Sequence, residues 1–416
     1  MKKMLVLLFV VIGVVISFAQ VELNMILGPE NLDYFIKRNQ EFYEATGVRV
    51  NITVVPYGRD VVQKLMASFL VGGTQYDIFT IDCVDVPMYA ENGWVMPVDK
   101  WITEEMKNDA IPFALDGMSY KGHWYGLPWV SEWKSFVYNQ AMIEKAGYKE
   151  FPKTWEEVVK LSQSLQEKGI VKYATAGSWA QKESLVCDFV AILSSFGGGF
   201  FDENIDPVFN GEEGVQALQF MVDMIYKYKI VNPSSLSWTE PEVYQTMFNG
   251  DSAFAMMWGL PLVDLDNPEL SNVVGECEIG LMPSIDGEHP HTVSGPMGLA
   301  ISYGTKHPQE SWEYINFLAN PKGSLDASIN AGLVPGWESV WENPLFKEKV
   351  RGADKMLEQA KYVVNRPRVP WYLEFSPILA EELHKALTLQ EEPQTALNNA
   401  AQKAVEIRNE WEKNHQ

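Results

Sequence analysis

The runs "VELNMIL" (21–27), "VRVNITVVPY" (48–57) and "YDIFTID" (76–82) are short, apolar and of strand length. Between them, residues 31–45 and 59–70 repeat apolar positions at helical spacing. Strand, helix, strand, helix, strand within the first hundred residues calls for an α/β fold, with a parallel sheet whose crossovers are helices. Further on, "TWEEVVKLSQSLQEKG" (154–169) opens with Thr154 as N-cap, Glu157 three residues later and Gly169 as the stop. More helices are expected over 182–195, 212–228 and 308–319, and strands in "DSAFAMM" (251–257), "CEIGLMP" (277–283) and "MGLAIS" (297–302). The tail from Pro377 to Glu412 reads as helical apart from a break at Pro393.

A chain of 416 residues exceeds one compact core, since domains usually run to ~100–200 residues. Two lobes are expected. Met-Lys-Lys, an apolar run from Met4 to Ile16 and Ser17-Phe18-Ala19 have the form of a secretory signal peptide, so the mature chain is expected to be exported and soluble. Without Lys2 and Lys3, 31 basic residues face 55 acidic ones, a net charge of −24, which disfavours nucleic acid and anionic lipid surfaces. Cys83, Cys187 and Cys277 are widely separated and lack metal-type spacing, so buried free thiols are expected, with one disulfide as the alternative.

Enzyme signatures are missing: there is no phosphate loop, no H-E-x-x-H and no G-x-S-x-G. "FGGGFFD" (196–202) has the wrong spacing for a dinucleotide fingerprint, and His289 and His291 lack the carboxylate or thiolate company of a metal site. No cofactor, metal or catalytic residue is expected. A pair of carboxylates facing a glycosidic bond would leave no local motif, so a secreted glycoside hydrolase is the rival reading.

The fourteen tryptophans supply a different chemistry. A pyranose has C–H faces that stack on indole and a rim of hydroxyls that hydrogen-bond to charged groups. Trp133, Trp179, Trp238, Trp258, Trp337 and Trp371 lie beside polar residues or glycine, whereas Trp94, Trp101, Trp155 and Trp312 sit on helix patterns and are assigned to cores. Trp258 ends a strand before a turn glycine, which favours a ligand contact. In open α/β sheets ligands bind at the carboxyl ends of strands, here at Glu30, Arg59 and Asp82.

Six segments, in order, resemble the extracellular solute-binding proteins that feed sugars to ABC importers, the kind that includes maltose- and trehalose-binding proteins. They are "YDIFTIDCVDVPMYAENGWVMPVDKWI" (76–102), "WYGLPWVSEWKSFVYNQAMIEKAG" (124–147), the "P-x-TWEE" that follows it, "FNGDSAFAMMWG" (248–259), "MGLAISYGTKHPQESWEYINFLANP" (297–321) and "NRPRVPWYLEFSPILAEELHKAL" (365–387). The resemblance implies two α/β lobes, each a mainly parallel sheet flanked by helices and joined by hinge segments. Residues 20–128 with 285–334 would form the first lobe, and 129–284 with 335–416 the second. It implies Asp82 and Glu30 as acceptors, Arg59 as donor, Arg366 or failing it Arg368 reaching in from the closing segment, and Trp258 as stacking ring. Glu132 and Trp133 would line the seam where the hinge enters the second lobe. One departure is "SGPMGLAIS" (294–302), with Pro296 and Met297 where many relatives carry an aromatic. The function implied is that of a monomeric periplasmic receptor that closes over a mono- or oligosaccharide and hands it to a transmembrane permease. A non-carbohydrate solute on the same fold is a second alternative.

Overall fold

The computed structural model describes residues 20–56, 59–73 and 75–415, without the side chain of Arg59. The expected signal peptide, residues 1–19, lies outside the described residues, and so does the side chain of Arg59. The first three strands are β1 (Glu22–Leu27), β2 (Arg49–Val54) and β3 (Ile78–Asp82), separated by the helices α1 (Leu32–Thr46) and α2 (Arg59–Leu70). β1 lies between β2 and β3 and is parallel to both, with Leu27 beside Val54 and Met25 beside Ile78. The strand Met297–Ile301 adds antiparallel to β3, and Leu127–Val130 pairs with it to complete a five-stranded sheet.

Alternation along these strands explains why helices cover both faces. Leu23, Met25 and Leu27 pack with Phe35 and Phe42 of α1, while Ile26 turns to the opposite face with Leu65 and Phe69 of α2. Phe79 and Ile81 follow Ile26, and Ile78 joins the first set. One phase slip along β1 would move each of these side chains to the other core.

The second sheet departs from expectation. Its central strand Ser135–Asn139 is antiparallel to both Phe254–Met257 and Cys277–Gly280, so a mainly parallel sheet in each lobe does not hold here. The reason is the route of the chain. Ser135 starts at the seam between the sheets and pairs with Met257, which ends there, so the two strands meet in opposite senses.

Three extended segments cross between the sheets. Residues 131–134 link Leu127–Val130 to Ser135–Asn139, and they are bridged to 292–295 through Lys134 N–H to Val293 O (3.0 Å) and Gly295 N–H to Glu132 O (2.9 Å). The strand Thr292–Ser294 runs parallel to Val363–Asn365, which brings the third crossing alongside. The expected lobe boundary at 128 falls inside the strand Leu127–Val130. Helix signals held locally: Thr154 Oγ1 accepts from Glu157 N–H, and the Glu157 carboxylate accepts from Thr154 N–H (both 3.3 Å), giving the helix Trp155–Glu167 its capping box.

Candidate functional site

The cleft is built around one guanidinium. Arg366 leaves the end of the third crossing almost completely buried, and its Nη2 donates to Asp82 Oδ1 at 2.5 Å while Nη1 donates to Glu183 Oε1 at 3.0 Å. Asp82 ends β3, and Glu183 begins the helix Glu183–Ser195. A planar fork with fixed donors suits this two-sided grip, which a lysine could not reproduce. Glu183 is held further by Tyr372 Oη at 2.7 Å and by the Ser376 hydroxyl.

Three cavities lie along the cleft, two of them lined by Arg366 itself. The widest, about 800 Å³, opens between α2 and the helix Tyr372–Leu387 and is lined by Asp82, Asp85, Glu183 and Arg366 among apolar neighbours. A second of about 410 Å³ runs from Asp82 to Glu132, Glu240 and Trp258. The third, about 290 Å³, lies at the carboxyl end of β1, where Glu30 and Trp129 face Glu132. Met297 lines all three, in the register position opposite Asp82. A thioether therefore sits where the three cavities meet. Gly295 passes between Arg366 and Trp258: a Cβ there would stand 3.4 Å from the Arg366 Nη2 and from the indole, so larger side chains would occupy that gap.

Parity along the first crossing sorts its side chains. Glu132 faces the cleft and lines two of the cavities. Trp133, its neighbour on extended backbone, points away into the interior against Phe113 and Trp341, with ring centroids 5.6 and 5.5 Å distant. Trp133 thus does not line the seam as expected. Lys134 returns to the cleft side fully buried, donates to Asp188, stands 3.9 Å from Glu240 and lies 5.4 Å from the Trp258 ring centroid. Asp188 Oδ2 in turn accepts from Ser178 N–H at 3.0 Å. Burial opposes the charge on Lys134, and the Asp188 carboxylate more than offsets it, holding the ammonium protonated.

The other expected contacts divide. Asp82, Glu30, Glu132, Trp258 and Arg366 all line the cleft. Trp179 does not: it is 2 % exposed, buried behind the loop at Gly177, with its backbone N–H on Ser235 O. Trp238 is half-buried outside the three cavities, and its carbonyl accepts from Ala180 N–H. Arg368 turns away to the carbonyls of Asp116 and Ser119 and to the Asp116 carboxylate, so it serves the end of the helix Pro112–Gly117 and the strand after it rather than the cleft. Asp85, Lys134, Glu183, Glu240 and Tyr372 were not anticipated. The second acid of "DCVD" and the acid opening the helix at 183 were the available signals for two of them.

Burial and the repulsion of Asp82 push the Glu132 carboxyl up to about 7, against the pull of Arg366 and the Gly259 backbone. The folded chain therefore holds that proton more tightly than the unfolded chain, whose carboxyl titrates near ~4.3. Stability is fully present below that value and declines as pH rises towards 7. Glu132→Gln cannot ionise, so its melting temperature relative to the parent should rise between pH 5 and pH 8. Parallel melting curves that keep a constant offset across that range would refute this assignment.

Two sheets joined by three crossings, with a charged and aromatic cleft between them, define the class of two-lobed binding proteins. The model of the bacterial extracellular solute-binding protein family matches residues 28–324, and the chain belongs to that family. The maltose-bound MalE3 structure of T. maritima superposes with a TM-score of 0.83 at 26% identity, covering 93% of this chain and 100% of that one. The maltotriose-binding protein of Pyrococcus abyssi is 23% identical over 68% of this chain and 59% of its own length. A probable amino-acid ABC transporter periplasmic-binding protein of Sinorhizobium fredii is 25% identical over 72% of this chain and 67% of its own length. Among the described residues no helix is long and apolar enough to cross a membrane, and no group of His, Cys, Asp and Glu could hold a metal ion.

Proposed function

We propose that this chain is the periplasmic receptor of an ABC importer, exported by cleavage of its leader, and that it captures a carbohydrate without chemically changing it. The observation that carries this reading is the join at the cleft. One buried guanidinium ties the carboxyl end of β3 to the helix at Glu183, and the Trp258 ring stands across the gap at Gly295. Charged groups in fixed positions suit hydroxyls, and the half-buried indole of Trp258 suits a C–H face. The maltose and maltotriose named for two relatives support the same class of ligand. Closure follows from thermodynamics: a ligand touching both sides binds the closed form better and shifts the population towards it about the three crossings. The closed form is then what a permease recognises.

Calorimetry with a panel of mono- and oligosaccharides tests this, with amino acids as the competing class that the Sinorhizobium relative's name suggests. Saturable binding of a sugar with no product formed is the expected result, and turnover of a glycoside or binding of amino acids alone would overturn it. Trp258→Ala should weaken the bound sugar at least ~10-fold, about 1.4 kcal/mol, while the circular dichroism and melting cooperativity stay as in the parent. Undiminished affinity would remove Trp258 from the site.

A further inference from the structure

Asp85 sits three residues beyond Asp82, at the start of the helix Val86–Glu91, and lines the widest cavity. It is 7% exposed, its Oδ1 is buried without a hydrogen-bond partner, and it does not cap the helix that follows it. A buried polar atom without a partner is destabilising, so something outside the protein's own bonding is its natural partner. The cations of this cavity are already committed or remote. Arg366 spends its donors on Asp82, Glu183 and the Ser294 carbonyl, and Lys182 is exposed at the rim.

The charge count points the same way. Among the described residues, six acids line the three cavities (Glu30, Asp82, Asp85, Glu132, Glu183 and Glu240) against two cations, Lys182 and Arg366. Burial and the Asp82 charge hold Asp85 and Glu132 protonated in the empty site, so the other four acids face the two cations, a surplus that a ligand hydroxyl at Asp85 would leave as it is. An ammonium supplies the donor and the compensating charge together. The apolar side chains of Val61, Val62, Met66 and Leu373 line the same cavity, and low-dielectric walls strengthen such a pair.

We propose that the ligand is a carbohydrate bearing a basic amine, whose ammonium seats against Asp85 at the wide end of the cleft. This rests on the carbohydrate-receptor reading above. The groups facing Asp85 are Asp82 and Tyr89 from its own stretch of chain, Arg366 from the third crossing and Glu183 from the helix it opens. Burial, then the charge of Asp82, raises the empty site's Asp85 to about 8, so it is protonated in the free protein at pH 6.5. An ammonium beside it favours the carboxylate, and the proton leaves to solvent as the ligand binds.

The test uses the mature chain with glucose, maltose and cellobiose, the 2-amino-2-deoxy analogue of each, and putrescine as an amine without a sugar. At pH 6.5 the aminated member of a pair should bind at least ~10-fold more tightly than its neutral counterpart. Calorimetry in two buffers of different ionisation enthalpy should show about one proton released per amine bound. Asp85→Asn should reduce the preference to within about threefold and abolish the proton release. Its retained melting transition would show that the fold is intact, and the proton count in the parent protein stands even if that variant fails to fold. Equal binding of neutral and aminated sugars would overturn the inference and leave the carbohydrate reading standing. Binding of putrescine with no sugar would support the ammonium site and overturn the carbohydrate reading. No binding by any of the seven compounds would overturn both.

Discussion

Lys134→Met lowers the unfolding free energy by about 3–5 kcal/mol in chemical denaturation, because it strands the Asp188 carboxylate without its partner. Both side chains are almost wholly excluded from solvent, at 0% and 2% exposure, so water cannot take over the role of the ammonium. Such a loss is a large fraction of the roughly 5–15 kcal/mol that holds a domain folded. The double replacement Lys134→Met with Asp188→Leu should recover most of it, since an apolar pair of similar volume has no charge to desolvate. Equal destabilisation by the single and double variants would show that packing around Trp258, rather than the ion pair, dominates this position.

Arg366→Met carries the second large effect, and it falls on stability and binding together. Asp82 and Glu183 lose their shared donor, at a cost of about 3 kcal/mol, the lower end for a broken buried pair because Glu183 is 41% exposed. Glu183 keeps Tyr372 and Ser376, so it stays placed, whereas Asp82 loses its one ion-pair partner among the described residues. Affinity for the sugar found in the calorimetric panel should therefore fall at least ~10-fold. Arg366→Lys keeps the charge but restores one of the two contacts at most. Arg368→Met is the control: that side chain serves Asp116 and Ser119 outside the cleft, and its loss should leave sugar affinity within about twofold. If the two arginine variants weaken binding equally, Arg366 is not the organising group.

The first sheet was legible because β1, β2 and β3 follow one another with a helix between each pair, and local pattern alone fixes that arrangement. The second sheet was not, since Ser135–Asn139 pairs with strands more than a hundred residues away and no local signal sets their direction. Among the candidate contacts, those at strand ends or family motifs, such as Asp82 and Trp258, could be named from sequence. Tyr372 and Asp188 could not, because helices bring one to Glu183 and the other to Lys134 from sequence distances that composition and spacing do not encode. Trp133 shows a limit of a different kind. An indole beside polar residues suits a sugar face or a protein interior equally well, and only the parity of the crossing, with Glu132 and Lys134 on one side, sends it inwards.

All three cysteines are unpaired and buried, and burial raises each thiol, that of Cys277 to about 12. Reactivity belongs to the thiolate, so none of them is poised for exchange while the chain is intact. The molecule accordingly needs no oxidative maturation, and its folding can be followed in reductant without losing a covalent link. Each sulfur also serves as an internal clock at its own address: Cys83 beside Arg366, Cys187 in the helix Glu183–Ser195, and Cys277 at the start of a strand in the second sheet. Alkylation mapped by mass spectrometry would time the opening of each neighbourhood separately, with no cysteine added to the sequence.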